Sequence, residues 1–269
     1  MPDPLAPEPG ADAAVPPRPG DAYVQSFARG LAVLRSFGAD APAQTLSTAA
    51  ARSGMTRAGA RRILLTLQQL GYVEVEGRLF RLTPKVLELG FAYLGSLPVW
   101  RLAQPAMEEL VQDLRESCSA AVLDGDDIVY VLRVPANKIM AISLGVGSRL
   151  PAYCTSIGHV LLANLPRREL DQWLAKAELK PYTERTATSK DKLRDELARV
   201  REQDYAIADR LLEIAVRSIA VPVRNAGGTV VAGINVIVEA GRVSLRDMRT
   251  LYLPHLQAAA TELGAQLVP

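Results

Sequence analysis

Cys154 and His159 are the first residues to weigh as chemistry. They stand five positions apart around a predicted helix start, where a thiol's pKa can fall and an imidazole can serve as its base. Such a pair would be a nucleophile of a cysteine-dependent enzyme. No third orienting residue and no oxyanion loop accompany it. Cys154 therefore reads more simply as a small buried apolar side chain, and His159 as a helix-capping or surface group. There is no P-loop, no GxGxxG after a strand and no HExxH. Two cysteines and two histidines without paired spacing do not suggest a zinc site. The expectation is a chain that is not an enzyme and carries no cofactor and no metal.

The same helix start supports a different chemistry. Ser156-Ile157-Gly158, preceded by Thr155, offers free backbone N–H groups and the positive end of a helix dipole, which together favour an anion. A small carboxylate suits it. Arg149 is one candidate counter-charge, and Arg133 another if its strand turns it inward. Either arginine otherwise makes a surface or interface ion pair, the commoner role. Tyr153 either stacks on an aromatic ring or belongs to the core.

Arginines form a third group. Arg57, Arg61 and Arg62 lie on one predicted helix, where Arg57 and Arg61 share a face. Arg78 and Arg81 flank a hairpin tip at Glu76-Gly77. These five guanidinium groups suit phosphates and guanine edges. The charge distribution points the same way. Residues 1–22 hold one Arg against four acids, residues 23–90 nine Lys/Arg against four acids, and residues 91–269 twenty-one of each. A basic module thus precedes a neutral domain, as expected when only one part meets nucleic acid.

The elements that must position these groups follow from periodicity and caps. Residues 1–22 hold seven prolines and no aromatic residue, and read as a disordered tail. Phe27, Leu31, Leu34 and Phe37 fall at helical spacing over 25–37. The loop GADAPAQT follows. Ser47 is the expected N-cap of a short helix over 48–52, Gly54 permits a sharp turn, and Thr56 caps a helix over 57–70. Two short strands around Glu76-Gly77 make a hairpin. Thr83-Pro84 opens a connecting helix to about Ser96. Helix, short helix, turn, helix and hairpin is the winged helix-turn-helix plan, whose second paired helix enters the major groove.

Beyond it, the pattern predicts a helix over 105–118, strands over 119–123, 128–134 and 138–144, and a loop over 145–151. Helices over 157–164, 168–177 and 189–204 follow. Strands over 205–208, 218–224 and 229–239 precede a final helix over 245–267, capped by Ser244. Hairpin strands with helices beside them make an α+β domain. The whole chain has 269 residues, 49% hydrophobic and 22% charged, enough for two folded domains and too apolar for wholesale disorder. No stretch approaches the ~18 apolar residues of a membrane helix, and no membrane partner is expected. MPDPLAPEPG does not resemble a secretory signal, and the cysteine usage fits a reducing, cytoplasmic setting.

The motifs FARGLAVLRSF, GMTRAGARRILLTLQQLGYVEVEGRLFRLTPKVLELG, GSRLPAYCTSIGHVLLA and RSIAVPVRNAGGTVVAGINV resemble those of the IclR family of bacterial transcription regulators. The resemblance runs from Tyr23 to the C-terminus. It is greatest to the branch that controls catabolism of protocatechuate and 4-hydroxybenzoate, within the β-ketoadipate pathway. It implies a winged helix-turn-helix over 23–83, a linker helix over 84–100 and a GAF-like effector-binding domain over 101–269. It also implies homodimers through the DNA-binding modules, commonly paired into homotetramers. Double-stranded operator DNA is the expected partner, with RNA polymerase a further candidate. On the winged helix-turn-helix plan, the expected DNA-contacting set comprises Ser47, Thr56, Arg57, Ala58, Arg61, Arg62, Arg78 and Arg81. The effector set comprises Leu144, Gly145, Tyr153, Thr155, Ser156, Ile157, Gly158, Asp209, Ser218 and Asn235, beside Arg133 and Arg149. The effector is expected to be a small carboxylate, an aromatic acid or a ring-cleavage product. The chain departs from the family's usual wording at Arg210-Leu211, where an acidic pair is common, and at Ala215, where glycine is common. Two other readings are a ligand-independent DNA-binding protein and the Cys154/His159 enzyme. Some 170 residues beyond the reader argue against the first, since DNA docking needs far less surface.

Overall fold

The structure, a computed structural model, describes residues 23–96, 99–136 and 144–267. The expectations for residues 1–22 and for most of the 138–144 strand lie outside the described residues. The chain divides between Ala92 and Tyr93 into two compact units.

In the first unit, helix α1 (Gln25–Arg35) precedes strand β1 (Ala43–Thr45), helix α2 (Leu46–Arg52) and helix α3 (Arg57–Gln69). Strands β2 (Val73–Glu76) and β3 (Leu79–Leu82) form the wing. The helices bury Val33, Ala49, Leu64 and Leu67 together with Val73 of the wing. Two expectations are corrected here. Thr45, not Ser47, caps α2: its side chain accepts from the Thr48 N–H, and Ser47 is exposed inside the helix. The GADAPAQT segment is not wholly a loop, because β1 pairs antiparallel with β3 and makes the wing three-stranded. Its inward residue, Gln44, is polar, so the strand shows no apolar alternation. The Gln44 amide donates to Ser36 O at 2.9 Å instead.

Helix α4 (Leu87–Ser96) crosses the boundary between units in sequence, and helix α5 (Val99–Leu114) follows. Pro105 lies within α5, not at its start, and Arg115 at φ +55° ends the helix. Cys118, expected in that helix, sits in strand β4 (Ser117–Asp124). Arginine at a left-handed helix end carries none of the usual glycine signal.

The second unit is built on one antiparallel sheet. Its further strands are β5 (Asp127–Val134), β6 (Arg149–Pro151), β7 (Ala206–Asp209), β8 (Val216–Arg224) and β9 (Val230–Glu239). The order is β6-β5-β4-β9-β8-β7. Helices α6 (Ser156–Ala163), α7 (Arg167–Lys176) and α8 (Lys190–Gln203) lie between β6 and β7 in sequence. A short helix α9 (Leu245–Asp247), a π-helical turn over Met248–Tyr252 and helix α10 (Leu253–Ala265) end the described chain. Ser244 and Asp247 form a capping box at α9. The single final helix expected over 245–267 is thus broken, with Pro254, the second residue of α10, removing one backbone donor.

Period-2 alternation divides the sheet residues between two cores. Cys118, Ala120, Ile219, Val221, Ile234 and Val236 point to the side of α5 and α10. Ala121, Tyr130, Ala206 and Ala220 point to the side of α6 and α8. The second face holds the polar groups that matter below.

Candidate functional site

The first unit presents a charged face. On α3, Ala60, Leu64 and Leu67 are buried, whereas Arg57, Ala58, Arg61 and Arg62 are exposed. Thr56 caps the helix by accepting from the Gly59 N–H at 3.2 Å, so its hydroxyl is engaged. Among the described residues no carboxylate pairs with Arg57, Arg61, Arg62 or Arg78. Arg62 lines an apolar groove between α1 and α3, apart from the Arg57/Arg61 edge. Arg78 follows Gly77 (φ +62°) at the wing tip, and Arg81 pairs with Glu76 at 3.5 Å.

The second unit buries polar groups between the sheet and α6. Arg133 on β5, Ser119 on β4 and Asn235 on β9 stand opposite one another in a row. Opposed residues in an antiparallel ladder share a face. Ser218 lies on the same face of β8, two residues from Ala220, which pairs with Asn235. The Ser156 hydroxyl at the start of α6 meets the Ser218 hydroxyl at 2.8 Å, and Asn235 Nδ2 lies 3.5 Å from Ser156 Oγ. Ser119 and Asn235 are 0% and 3% exposed, yet Ser119 Oγ and Asn235 Oδ1 lack partners, as does Arg133 Nη1. Burying unpartnered polar atoms is costly, and native structures carry few of them. Burial pushes the Tyr130 hydroxyl up to about 12, with the Arg133 charge pulling the other way. Its register opposite Ser119 places Arg133 on the α6 side of the sheet.

The helix start is tighter than its sequence suggests. The Gly158 N–H donates to Thr155 Oγ1, which leaves only the amides of Ser156 and Ile157 without an intrahelical acceptor. A Cβ on Gly158 would lie 2.0 Å from Ala152 O, so this glycine serves the close approach of the preceding turn. Ile157 is fully buried against Gly233, where a Cβ would meet it at 2.8 Å. It is core, not an open wall. Leu144 packs half-buried on the same core, and Gly145 is exposed in a turn closed on Ser148 Oγ.

Two charged residues of the expected ligand set meet other partners in the structure. Arg149 is exposed and donates to Asp124 at 2.7 Å and Asp127 at 3.0 Å, so its charge is spent on the β4–β5 turn. Asp209 accepts from Arg217 at 2.7 Å and pairs with Arg185. It alternates with Ala208, and so faces away from Ser218 and α6. Tyr153, expected either to stack on a ligand ring or to belong to the core, is 5% exposed within the core beside α6, and its hydroxyl bonds both the carbonyl and the N–H of Lys180, each at 2.8 Å.

Cys154 and His159 do not form a pair. The Cys154 thiol is directed to Pro151 O at 3.6 Å, while His159 Nε2 meets Tyr153 O at 2.6 Å. Burial pushes the thiol up to about 12, with Asp127 adding to it, so no thiolate forms near neutrality. His159 is 3% exposed, neither a cap nor a surface group. Sequence reasoning missed Ser119, and it singled out Arg210 only as a departure from the family's wording. Ser119 alternates with the apolar Cys118 and Ala120, a readable signal once the sheet face is known. Arg210, at φ +62° with its Nε buried and unpartnered, had no periodic signal.

Comparison with known proteins fits this arrangement. The family model for the IclR helix-turn-helix domain matches residues 26–77, and that for the bacterial transcriptional regulator IclR C-terminal region matches residues 91–265. The Pca regulon regulatory protein of Pseudomonas putida is 41% identical over 246 residues, 91% of this chain and 84% of the relative. A transcriptional regulator of Rhodococcus sp. RHA1 superposes with TM-score 0.82 at 48% identity, covering 90% of this chain and 97% of that one. An IclR homologue of Microbacterium hydrocarbonoxydans, complexed with 4-hydroxybenzoate, gives TM-score 0.79 at 26% identity, covering 89% and 97%.

Proposed function

The chain belongs to the IclR family of bacterial transcriptional regulators, and from that premise we propose that it binds operator DNA through residues 23–83 and a small carboxylate through residues 101–269. Residues 84–100 connect the two. Arg57 and Arg61 read the major groove, and Arg78 holds phosphate from the wing. The ligand is an aromatic acid or its ring-opened product, in keeping with the 4-hydroxybenzoate-bound relative and the relative named for the Pca regulon.

One observation carries the ligand reading. Ser119 Oγ, Asn235 Oδ1 and Arg133 Nη1 are buried without partners on the sheet face beside the start of α6. A carboxylate supplies what Arg133 lacks, and a ring hydroxyl, which can accept from Ser119 Oγ and donate to Asn235 Oδ1, supplies what those two lack. The free amides of Ser156 and Ile157 add the helix-dipole preference for an anion.

The working unit is at least a dimer, since one reader spans a short site and paired readers reach two half-sites. The occupant of the apolar groove along α1 and α3 is a second copy of this chain. That groove has a volume of about 650 Å³, and Phe27, Leu31 and Leu89 reach it while exposed. Light scattering is expected to give a dimer or tetramer, and a monomer with and without DNA contradicts this.

Calorimetry with benzoate and 4-hydroxybenzoate tests the site. Ser156 is fully buried, so a bulky residue there tests folding instead of binding. Arg133→Gln is the better variant. It is expected to abolish carboxylate binding while keeping the melting transition and basal operator affinity. Native ligand affinity in that variant places the site elsewhere.

A further inference from the structure

Helix α3 is closed by its own backbone and then held again from outside. Gly71 N donates to Gln68 O at 3.0 Å and Tyr72 N to Leu67 O at 2.8 Å, with Gly71 at φ +82°. Those two bonds are a complete Schellman cap and end the helix without further help. Yet the next three carbonyls, of Leu70, Gly71 and Tyr72, are all taken by two residues beyond the wing. Lys85 Nζ donates to Leu70 O at 3.0 Å, the Thr83 hydroxyl to Gly71 O at 2.5 Å, and Thr83 N to Tyr72 O at 3.0 Å. The Lys85 ammonium also lies 5.2 Å from the centre of the Tyr72 ring. Helix α3 has no basic residue in its own last turn, so Lys85 supplies the cation that the negative end of the helix dipole favours.

Thr83 and Lys85 open the connection to the second unit. Thr83 follows β3, and its hydroxyl accepts from Lys85 N to cap a 3₁₀ turn over Pro84–Val86. Pro84 fixes the backbone angle φ in that turn. Helix α4 begins at Leu87 directly after it, and no glycine stands between Thr83 and Leu87. The connecting helix is thus fastened, through a stiff turn, to one end of the helix whose other end carries Arg57 and Arg61.

Resting on the reading of the major groove by Arg57 and Arg61 above, we infer that Lys85 and Thr83 are positioning residues for DNA recognition. They tie the direction of α4 to the placement of α3, so a change in the linker reaches the arginines that read bases. The lever is long enough. Helix α3 has 13 residues, and a helix of that length spans ~20 Å. A tilt of ~3° about the fastened end moves the other end by ~1 Å, enough to take a base contact out of hydrogen-bonding range. The tie adds nothing that the Schellman cap needs. Its effect is to make α3, the wing and the start of the linker move as one piece.

The test measures anisotropy of the full-length protein on two duplexes: one selected by the wild type from random sequence, and a scramble of it. Lys85→Met keeps the stem and loses the donors. Thr83→Val keeps the branched shape and loses the hydroxyl, with no change of charge. Each is expected to lower the preference for the selected duplex about tenfold, the worth of one misplaced base contact. Lys85→Arg, which still donates and stacks, is expected to keep most of that preference. A melting point that falls while the preference stays intact makes the tie a cap only and overturns the inference. Equal weakening on both duplexes with a shallower salt slope makes Lys85 a phosphate contact and overturns it too. If Arg57→Ala and Arg61→Ala both leave the preference intact, the reading of α3 fails and this inference falls with it. A second arm adds 4-hydroxybenzoate. The factor by which it changes affinity for the selected duplex is expected to shrink toward one in the double variant, and by reciprocity the duplex loses the same factor on ligand affinity. A double variant that keeps the full wild-type factor overturns the link from α4 to α3. A wild type without any such factor counts against the ligand reading alone, and the duplex comparison decides.

Discussion

Ser156 and Ser218 join hydroxyls at 2.8 Å across 62 residues of sequence, fastening the start of α6 to strand β8. Both are buried, and Asn235 stands beside them. Removing one hydroxyl leaves the other without its partner. Ser156→Ala and Ser218→Ala are each expected to lower stability by about 1–3 kcal/mol. The double variant is expected to cost less than the two together, because neither serine hydroxyl is then left without the other. Urea unfolding of the three variants checks this. Strict additivity would mean that the two hydroxyls do not depend on each other.

The reader makes the next prediction. Arg57→Ala or Arg61→Ala is expected to weaken operator binding by about 1–3 kcal/mol if the side chain is bidentate to a base. Arg78→Ala is expected to weaken all DNA alike and to reduce the salt slope by about one phosphate contact. Anisotropy across a salt series separates the two. Unchanged affinity in both α3 variants would move the reading edge elsewhere.

Much of this was legible in the chain, and the failures share a cause. Helices α1 and α3 announce themselves because their apolar residues repeat at helical spacing on a half-buried surface. Strand β1 does not, because Ala43-Gln44-Thr45 turns a polar residue inward and is only three residues long, paired with β3. The polar row behind the ligand reading is partly visible: Ser156, Ser218 and Asn235 follow from the resemblance. Ser119 stays hidden until register sets it between Arg133 and Asn235. Asp209 and Arg149 misled for the reverse reason. A charged residue near a site in sequence sits on the wrong face after one residue of alternation, or finds carboxylates closer at hand.

Packing at Gly158 is a sharper test of the helix start. A methyl group there would lie 2.0 Å from the Ala152 carbonyl oxygen, and backbone cannot move aside as a side chain can. Gly158→Ala is expected to destabilise by roughly 3 kcal/mol, the upper end for overpacking. That lowers the melting point by ~6–12 °C at this chain length. Gly145→Ala, with open space around its Cβ, is the control and is expected to melt like wild type. Equal melting of the two variants would show that the turn before α6 yields.

The buried imidazole of His159 sets a pH dependence of known sign. Burial holds its pKa below the ordinary histidine value, against the opposing pull of the Tyr153 carbonyl and Glu196. The unfolded chain therefore binds a proton near pH 6.5 that the folded chain refuses. Where the unfolded state binds more protons, stability rises with pH. The contribution is complete above about pH 7.5 and declines as pH falls through about 6.5, until the folded state also takes up the proton. Urea midpoints of wild type are expected to drop from about pH 7.5 to 6. His159→Gln keeps a donor for the Tyr153 carbonyl without a titrating ring, and is expected to flatten the slope even if it lowers the midpoint throughout. A wild-type midpoint independent of pH from 7.5 to 6 would mean that His159 accepts its proton inside the fold, with water or a carboxylate reaching the ring.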